Sequence, residues 1–423
     1  MSLLRRLERT LGTATTSPAL PEPDATARPP IADALDRHGP RLVRHATAAP
    51  NEPGGHMGLF ARHVDFAAAL PSARAVTSTH GDAWSILTRV PQASSHGRFP
   101  LAHTLAADFE QLARLVGDPR LDGFDPREAL FLDIETTGLE HGAGNVAFLV
   151  ALGWFEGVDF RIEQLLLKEP DDEPALLAKL WEWLGARRWL VSFNGKCFDL
   201  SILQNRLVMH RFTSPEQAAL KLRPHLDLLH VSRAIFKGLW PDTRLQTIEE
   251  RALAFHRDGD MPGAMAPGCY FAWLRERNAG PLAAIARHNR DDVLSMVVMT
   301  GLLGRFATPS ADPERPAQVT RNIAERLLLR REPSDSLRFL ALIPAAEHDP
   351  ALLELGLVAA RRARDREALI VFATRLLALD PAHAAARRAS AGGARKGDAV
   401  VSPPERTYGV GARMTAPEAM ETR

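Results

Sequence analysis

From Leu130 onward, the hydrophobic positions fall into short uninterrupted runs, each closed by a polar turn. Leu130 to Glu135 reads as a short buried strand. Val146 to Phe155 and Phe160 to Leu167 read as two more, joined by a tight Glu156-Gly157 turn. The period then changes. Glu173 to Leu184 has helical spacing, Trp189 to Phe193 reads as a strand, Phe198 to Val208 as a helix, and Leu226 to Leu229 as a strand. Leu245 to Leu253 and Tyr270 to Arg277 look helical. A long helix is expected from Pro281, a residue favoured at the first helical position, to Leu303. A three-strand meander followed by alternating strands and helices predicts a mixed α/β sheet with helices packed against it.

The flanks are patterned differently. Residues 1–54 are rich in Ala, Pro and Thr with little periodicity, and are expected to form a disordered arm. Residues 55–125 form an extension packed on the core, with Leu105 to Val116 spaced as a helix. The α/β domain spans 126–306. Pro309, Pro313 and Pro316 mark a linker. The segment 317–390 is helical, with helices at Ile323 to Leu329, Ser336 to Ile343, Ala351 to Arg361 and Glu367 to Leu379. A disordered tail is expected over 391–423.

Composition adds limits rather than direction. Of 423 residues, 45% are apolar and 24% charged, as in ordinary soluble domains. Lys+Arg number 52 against 51 Asp+Glu, a formal net charge of +1, so any basic groove must be local. Cys197 and Cys269 form no metal or redox spacing and read as free thiols. No apolar run is long enough for a membrane span. The Arg-rich stretch Met1 to Leu11 contains Glu8, which argues against a transit peptide. These features predict a cytoplasmic protein.

Three motifs carry the chemistry. In the first, Phe131-Leu132-Asp133-Ile134-Glu135-Thr136-Thr137-Gly138, residues two apart on a strand share a face. Asp133 and Glu135 therefore project together at the strand's end. Two adjacent carboxylates repel unless a cation compensates, and hard divalent metals favour such oxygen ligands. Thr136, Thr137 and Gly138 turn the chain, and Gly142 and Gly144 keep the loop open. The second motif, Val191 to Asp199, ends a strand at Asn194 and opens a helix at Asp199, where capping alone would also suit an acidic residue. The third lies on the long helix. Ile285, Asn289, Asp292 and Met296 share an inward stripe, whereas Asp291 falls with Arg287 and Ser295 on a more polar one. His288, one turn before Asp292, is placed either to orient or to deprotonate a water.

Taken together, the motifs resemble the DEDD (DnaQ-like) 3′–5′ exonuclease superfamily of ribonuclease H-like folds. The first matches its Asp-x-Glu signature, and the second its Asn-x-x-x-Phe-Asp. The third gives His-x-x-x-Asp where many relatives have Tyr-x-x-x-Asp and others His-x-x-x-x-Asp. Within that superfamily the chain is similar to the YprB-type ribonuclease H-like group. The likeness lies in the segment His141 to Asn145, in Phe193-Asn194-Gly195-Lys196, and in His225-Leu226-Asp227-Leu228-Leu229-His230. It covers Pro126 to Phe306.

The resemblance implies a ribonuclease H-like mixed sheet flanked by helices and a nuclease acting on the 3′ end of DNA or RNA. It implies two Mg²⁺ or Mn²⁺ ions straddling the scissile phosphate. Asp133 would bridge both, Glu135 and Asp292 would complete one site, and Asp199 would serve the other. His288 would accept the proton of the attacking water. Thr136, Thr137, Asn194 and Lys196 are the candidate substrate contacts, although a Lys after a Gly is also commonly solvated. Asp227 reads equally as a support for the site or as purely structural, and His225 and His230 read as structural. The stretch Glu367 to Ala384 resembles the second helix of a tetratricopeptide repeat. Its helices either pack on the domain or offer a surface to a protein partner. The competing function is a catalytically idle nucleic-acid-binding or protein-interaction module. Four filled acidic positions favour the enzyme.

Overall fold

The computed structural model of the chain describes residues 60, 62–138, 144–212, 220 and 223–393. The expectations for the arm over 1–54, for Gly142 and its neighbours, and for the tail from 394 fall outside the described residues.

A seven-stranded sheet organises the molecule, and the meander supplies its centre. The strands are β1 (Ala73–Ser78), β2 (Gly81–Pro91), β5 (Ala129–Thr136), β6 (Ala147–Glu156), β7 (Asp159–Leu166), β8 (Trp189–Ser192) and β9 (His225–Asp227). Two short strands, β3 (Ser95–His96) and β4 (Phe99–Pro100), form a separate ribbon. The order in the main sheet is β1-β2-β7-β6-β5-β8-β9. β5, β6, β7, β2 and β1 pair antiparallel, whereas β5, β8 and β9 run parallel. The fold is ribonuclease H-like: a mixed sheet flanked by helices, with a helical region after it.

The helices are α1 (Glu110–Val116), α2 (Glu173–Ala186), α3 (Asp199–Met209), α4 (Leu228–Ile235), α5 (Ala266–Glu276) and α6 (Gly280–Ala307). The C-terminal region adds α7 (Ala317–Leu329), α8 (Pro333–Leu340), α9 (Pro350–Ala363), α10 (Arg366–Leu379) and α11 (Ala384–Gly393). The strand pleat divides β5 between two cores. Phe131 points to the face that also holds Val293 and Met296 of α6, and Leu130, Leu132 and Ile134 point to the face covered by α2, α3 and α5. Fully buried side chains such as Phe131, Phe160 and Met296 each contribute about 1.5–3 kcal/mol. That packing offsets the cost of holding acidic groups at the strand's end. α6 is buried nearly all round because sheet and helices enclose it, which is why its pattern is apolar on more than one face.

Several elements differ from the sequence reading. The expected helix over 105–116 is interrupted. A turn at His103–Ala106 is followed by extended Ala107, and α1 begins only at Glu110. The expected strand Leu226 to Leu229 ends at Asp227. Asp227 caps α4, so Leu228 and Leu229 are helical despite their apolar run. Leu245 to Leu253 changes from an α turn to a π turn at Glu249, the kind of irregularity that often marks a functional site. The extension contributes β1, an edge strand of the main sheet, and β2, which joins it to β7. Helix α11 carries regular structure through 393, beyond the boundary expected at 390.

Candidate metal centre

Strand β5 delivers Asp133 and Glu135 to one face, where α6 crosses it. Asp133 is half-buried, and its Oδ2 accepts a hydrogen bond from Asn289 Nδ2 at 2.6 Å. Gln164 of β7 fixes Asn289 in turn, donating to its Oδ1 at 2.8 Å and to the Ala286 carbonyl at 2.8 Å. Glu135 is 8% exposed and, among the described residues, has no hydrogen-bond donor. Its Oε1 lies 4.0 Å from His288 Nε2. Asp292 Oδ2 lies 3.6 Å from the same nitrogen. Glu135, His288 and Asp292 each offer an atom within 4.8 Å of the others, the one such group among the described residues. With Asp133, Thr136, Phe198, Gly263 and Pro267 they line a cleft of about 210 Å³.

Asp199 opens α3 and is buried. It does not line the cleft, but its charge acts on both Asp133 and Glu135. The backbone N–H groups of Asp199 itself and of Ile134 on β5 favour its charged form, but burial outweighs them. The turn before it is tightly built. A Cβ on Gly195 would collide with Ser192 and crowd the Asp199 carboxylate, so only glycine passes here. Asn194 is left-handed at φ 67°. Asp227 holds the turn, accepting from the backbone N–H of Asn194 at 2.8 Å and Lys196 at 3.0 Å while capping Leu229 at 3.1 Å. Its role is thus to fix the loop that presents Asp199. His225 is buried against Ser192 Oγ at 2.7 Å, and burial lowers its pKa to about 3.

The electrostatics are those of crowded carboxylates. Burial, then the neighbouring Asp292 and Asp199 charges, push Asp133 well above the usual carboxylate range. Burial, then Asp133 and Asp292, do the same to Glu135. Asp199 rises to about 7, chiefly through burial. One built-in cation answers part of this charge. Arg257, 7% exposed in its side chain, pairs with Glu249 at 2.5 Å and also with Asp292. It reaches Asp260 at 3.3 Å and His288 Nδ1 at 3.0 Å. Ser295 donates to Glu249 at 2.5 Å and meets His96 of the β3–β4 ribbon at 2.7 Å. Asp260 Oδ2 takes the Nδ1 side of His288 at 2.8 Å. Burial would lower the His288 pKa, but the Asp260 hydrogen bond and the Asp292 charge outweigh it, and the net shift is upward.

The donor set suits a divalent cation. It is rich in oxygen, Glu135 accepts no hydrogen bond among the described residues, and neighbouring carboxylate charges act on both Asp133 and Glu135. Of the expected substrate contacts, Thr136 lines the cleft and donates to the Gly138 carbonyl at 2.7 Å. Thr137 accepts from Val146 N–H at 3.0 Å and is buried, and Thr137, Asn194 and Lys196 do not line that cleft. Asp291 turns away to Arg290 at 2.7 Å. Sequence reasoning missed Arg257, Asp260, Glu249 and Gln164. Only Gln164 left a signal, as a polar residue inside the apolar run Phe160 to Leu167.

Comparison with known proteins agrees with this geometry. Residues 130–303 match a family model described as the RNase_H superfamily. Over 272 residues the chain is 28% identical to the uncharacterized protein YprB of Bacillus subtilis (strain 168), covering 64% of this chain and 62% of that protein. The chain therefore spans less than two thirds of the relative's length. The matched stretch contains the acidic and histidine cluster of Glu135, His288 and Asp292, whose atoms could hold a metal ion.

Proposed function

We propose that this protein is a 3′–5′ exonuclease that hydrolyses phosphodiester bonds of DNA or RNA with two divalent cations, Mg²⁺ or Mn²⁺. The observation that carries the reading is the meeting of Asp133, Glu135 and Asp292 in one cleft, with Asp199 buried behind them and raised to about 7. Bound there, such cations would polarise the phosphate, lower the pKa of a water and stabilise the leaving 3′ oxygen. Asp133, Glu135 and Asp292 would hold them from the cleft, and Asp199, buried by the end of β5, would add its charge. Asn289 and Gln164 keep Asp133 in its rotamer. His288 presents Nε2 to the reacting side. Thr136, Thr137, Asn194 and Lys196 are proposed to steer the substrate strand.

The Arg257 pair on Asp292 favours the second reading, an idle binding module, because it neutralises one of the four carboxylates within the fold. Helices α7 to α11 are the proposed tetratricopeptide-like surface for a protein partner. The two free thiols, Cys197 and Cys269, fit a cytoplasmic location. Incubating the full chain with 5′-labelled DNA and RNA oligonucleotides, with and without a blocked 3′ end, in Mg²⁺, Mn²⁺ or EDTA tests the main reading. A ladder shortening from the free 3′ end only when metal is present is expected. Binding without cleavage would leave the idle module.

A further inference from the structure

The sequence motif and its resemblance assign His288 to a proton. The geometry points to a different role: we propose that His288 Nε2 is itself a metal ligand, with Glu135 and Asp292, and that this site takes a first-row transition dication of the Mn²⁺ type in preference to Mg²⁺. The inference deepens the proposed function and rests on it only for the biological use of the ion.

Three observations meet at one point. Nε2 lies 4.0 Å from Glu135 Oε1 and 3.6 Å from Asp292 Oδ2. Ligands about 2.2 Å from an octahedral ion stand about 3.1 Å apart when adjacent and about 4.4 Å apart when opposite. Both separations lie between those values and all three atoms lie within 4.8 Å of one another, so they must shift by several tenths of an ångström to share one ion. Second, the Glu135 side chain is nine-tenths buried, lines the cleft and has no hydrogen-bond donor among the described residues. A buried acceptor left so is costly unless a ligand completes it. Third, His288 is held from behind. Asp260 Oδ2 at 2.8 Å and Arg257 Nη1 at 3.0 Å both meet Nδ1 and set the ring with Nε2 toward the two carboxylates; in the tautomer protonated at Nδ1, Nε2 carries the lone pair. A carboxylate on the far nitrogen is the usual support for a metal-bound imidazole. Asp260 is thus a positioning residue.

The metal preference follows from the nitrogen. Imidazole suits transition dications, whereas Mg²⁺ prefers oxygen and keeps its waters. Arg257 ties up Asp292 Oδ1 and leaves Oδ2 to share an ion with His288 Nε2, and a nitrogen in the donor set favours Mn²⁺ over Mg²⁺.

The test uses metal-free full chain titrated with Mn²⁺ alone, followed by electron paramagnetic resonance and electron spin-echo modulation. The wild type is expected to bind Mn²⁺ with a ¹⁴N modulation that changes when histidine is ¹⁵N-labelled, and Mg²⁺ is expected to displace it only in large excess. Asp260→Ala should weaken Mn²⁺ binding by about 10- to 100-fold, and His288→Ala by at least as much with loss of the nitrogen signal. Glu135→Gln guards against a misfolded His288 variant, since it should weaken binding yet keep the modulation. Asp291→Asn, outside the cluster, should leave binding unchanged. Bound Mn²⁺ without a histidine nitrogen signal, or equal competition by Mg²⁺, overturns the proposal. Oligonucleotide cleavage is scored separately. A nitrogen signal without cleavage removes the nuclease reading and keeps the ligand, and cleavage without the signal does the reverse.

Discussion

Burial lifts the Asp199 carboxyl to about 7, and a group so raised destabilises the fold whenever it is ionised. The sign follows from linkage. The stability associated with its protonated form is fully present below the unfolded pKa near ~3.9 and is lost as pH rises through about 7. In EDTA, Asp199→Asn should therefore raise the melting temperature at pH 8, and the gap should shrink toward pH 5. An equal gap at both pH values would show that burial does not raise the Asp199 carboxyl. Arg257 behaves oppositely, because it is the cation that the buried carboxylates Glu249 and Asp292 depend on. Arg257→Met should cost about 3–5 kcal/mol in urea unfolding, since breaking a buried pair strands a charge. A loss below ~1 kcal/mol would show that these carboxylates do not need it. At this scale the sequence was legible only where spacing is local. Asp133 and Glu135 stand two apart on a strand, and His288 and Asp292 four apart on a helix. Arg257 and Asp260 arrive from a loop after a π turn and a left-handed Ala254, and no periodicity announces them.

The elements decide whether those side chains meet. α6 lies on the sheet at Gly153, where a Cβ would strike Phe160 and Val293. Gly153→Ala should push α6 off β6, cost about 1–3 kcal/mol, and lower metal affinity because Asp292 moves away from Asp133. Metal affinity unchanged despite the lost stability would mean that the helix does not set the site's geometry. The turn before α3 depends on Asp227, which accepts three backbone N–H groups. Asp227→Ala should cost roughly 2–4 kcal/mol through lost capping and stranded donors. The meander and the long helix were readable as period and length. The β1–β2 hairpin was not, because Ala73 to Pro91 mixes polar and apolar positions with little alternation. The start of α4 was hidden because Leu228 and Leu229 prolong an apolar strand run, and only the cap at Asp227 ends it.

For the molecule as a whole, the C-terminal helices share one core with the sheet. Val319, Ile323, Phe339 and Phe372 belong to the same buried cluster as Phe131 and Met296. Asn322 Nδ2 donates to the Ile235 and Lys237 carbonyls at 2.9 Å each, and Arg114 pairs with Asp335 at 2.6 Å. Calorimetry should accordingly show one cooperative unfolding transition, and two well-separated transitions would contradict a shared core. Among the described residues no helix is long and apolar enough to cross a membrane.

Asp133, Glu135, Asp199 and Asp292 are proposed to act as one nuclease centre. The most direct measurement is the degradation rate of an end-labelled oligonucleotide by wild type, Asp133→Asn and Asp291→Asn in Mn²⁺, with folding checked by circular dichroism. Wild type and Asp291→Asn should degrade it alike, and Asp133→Asn should be folded and inactive. A folded Asp133→Asn protein that degrades the oligonucleotide at the wild-type rate would contradict the claim.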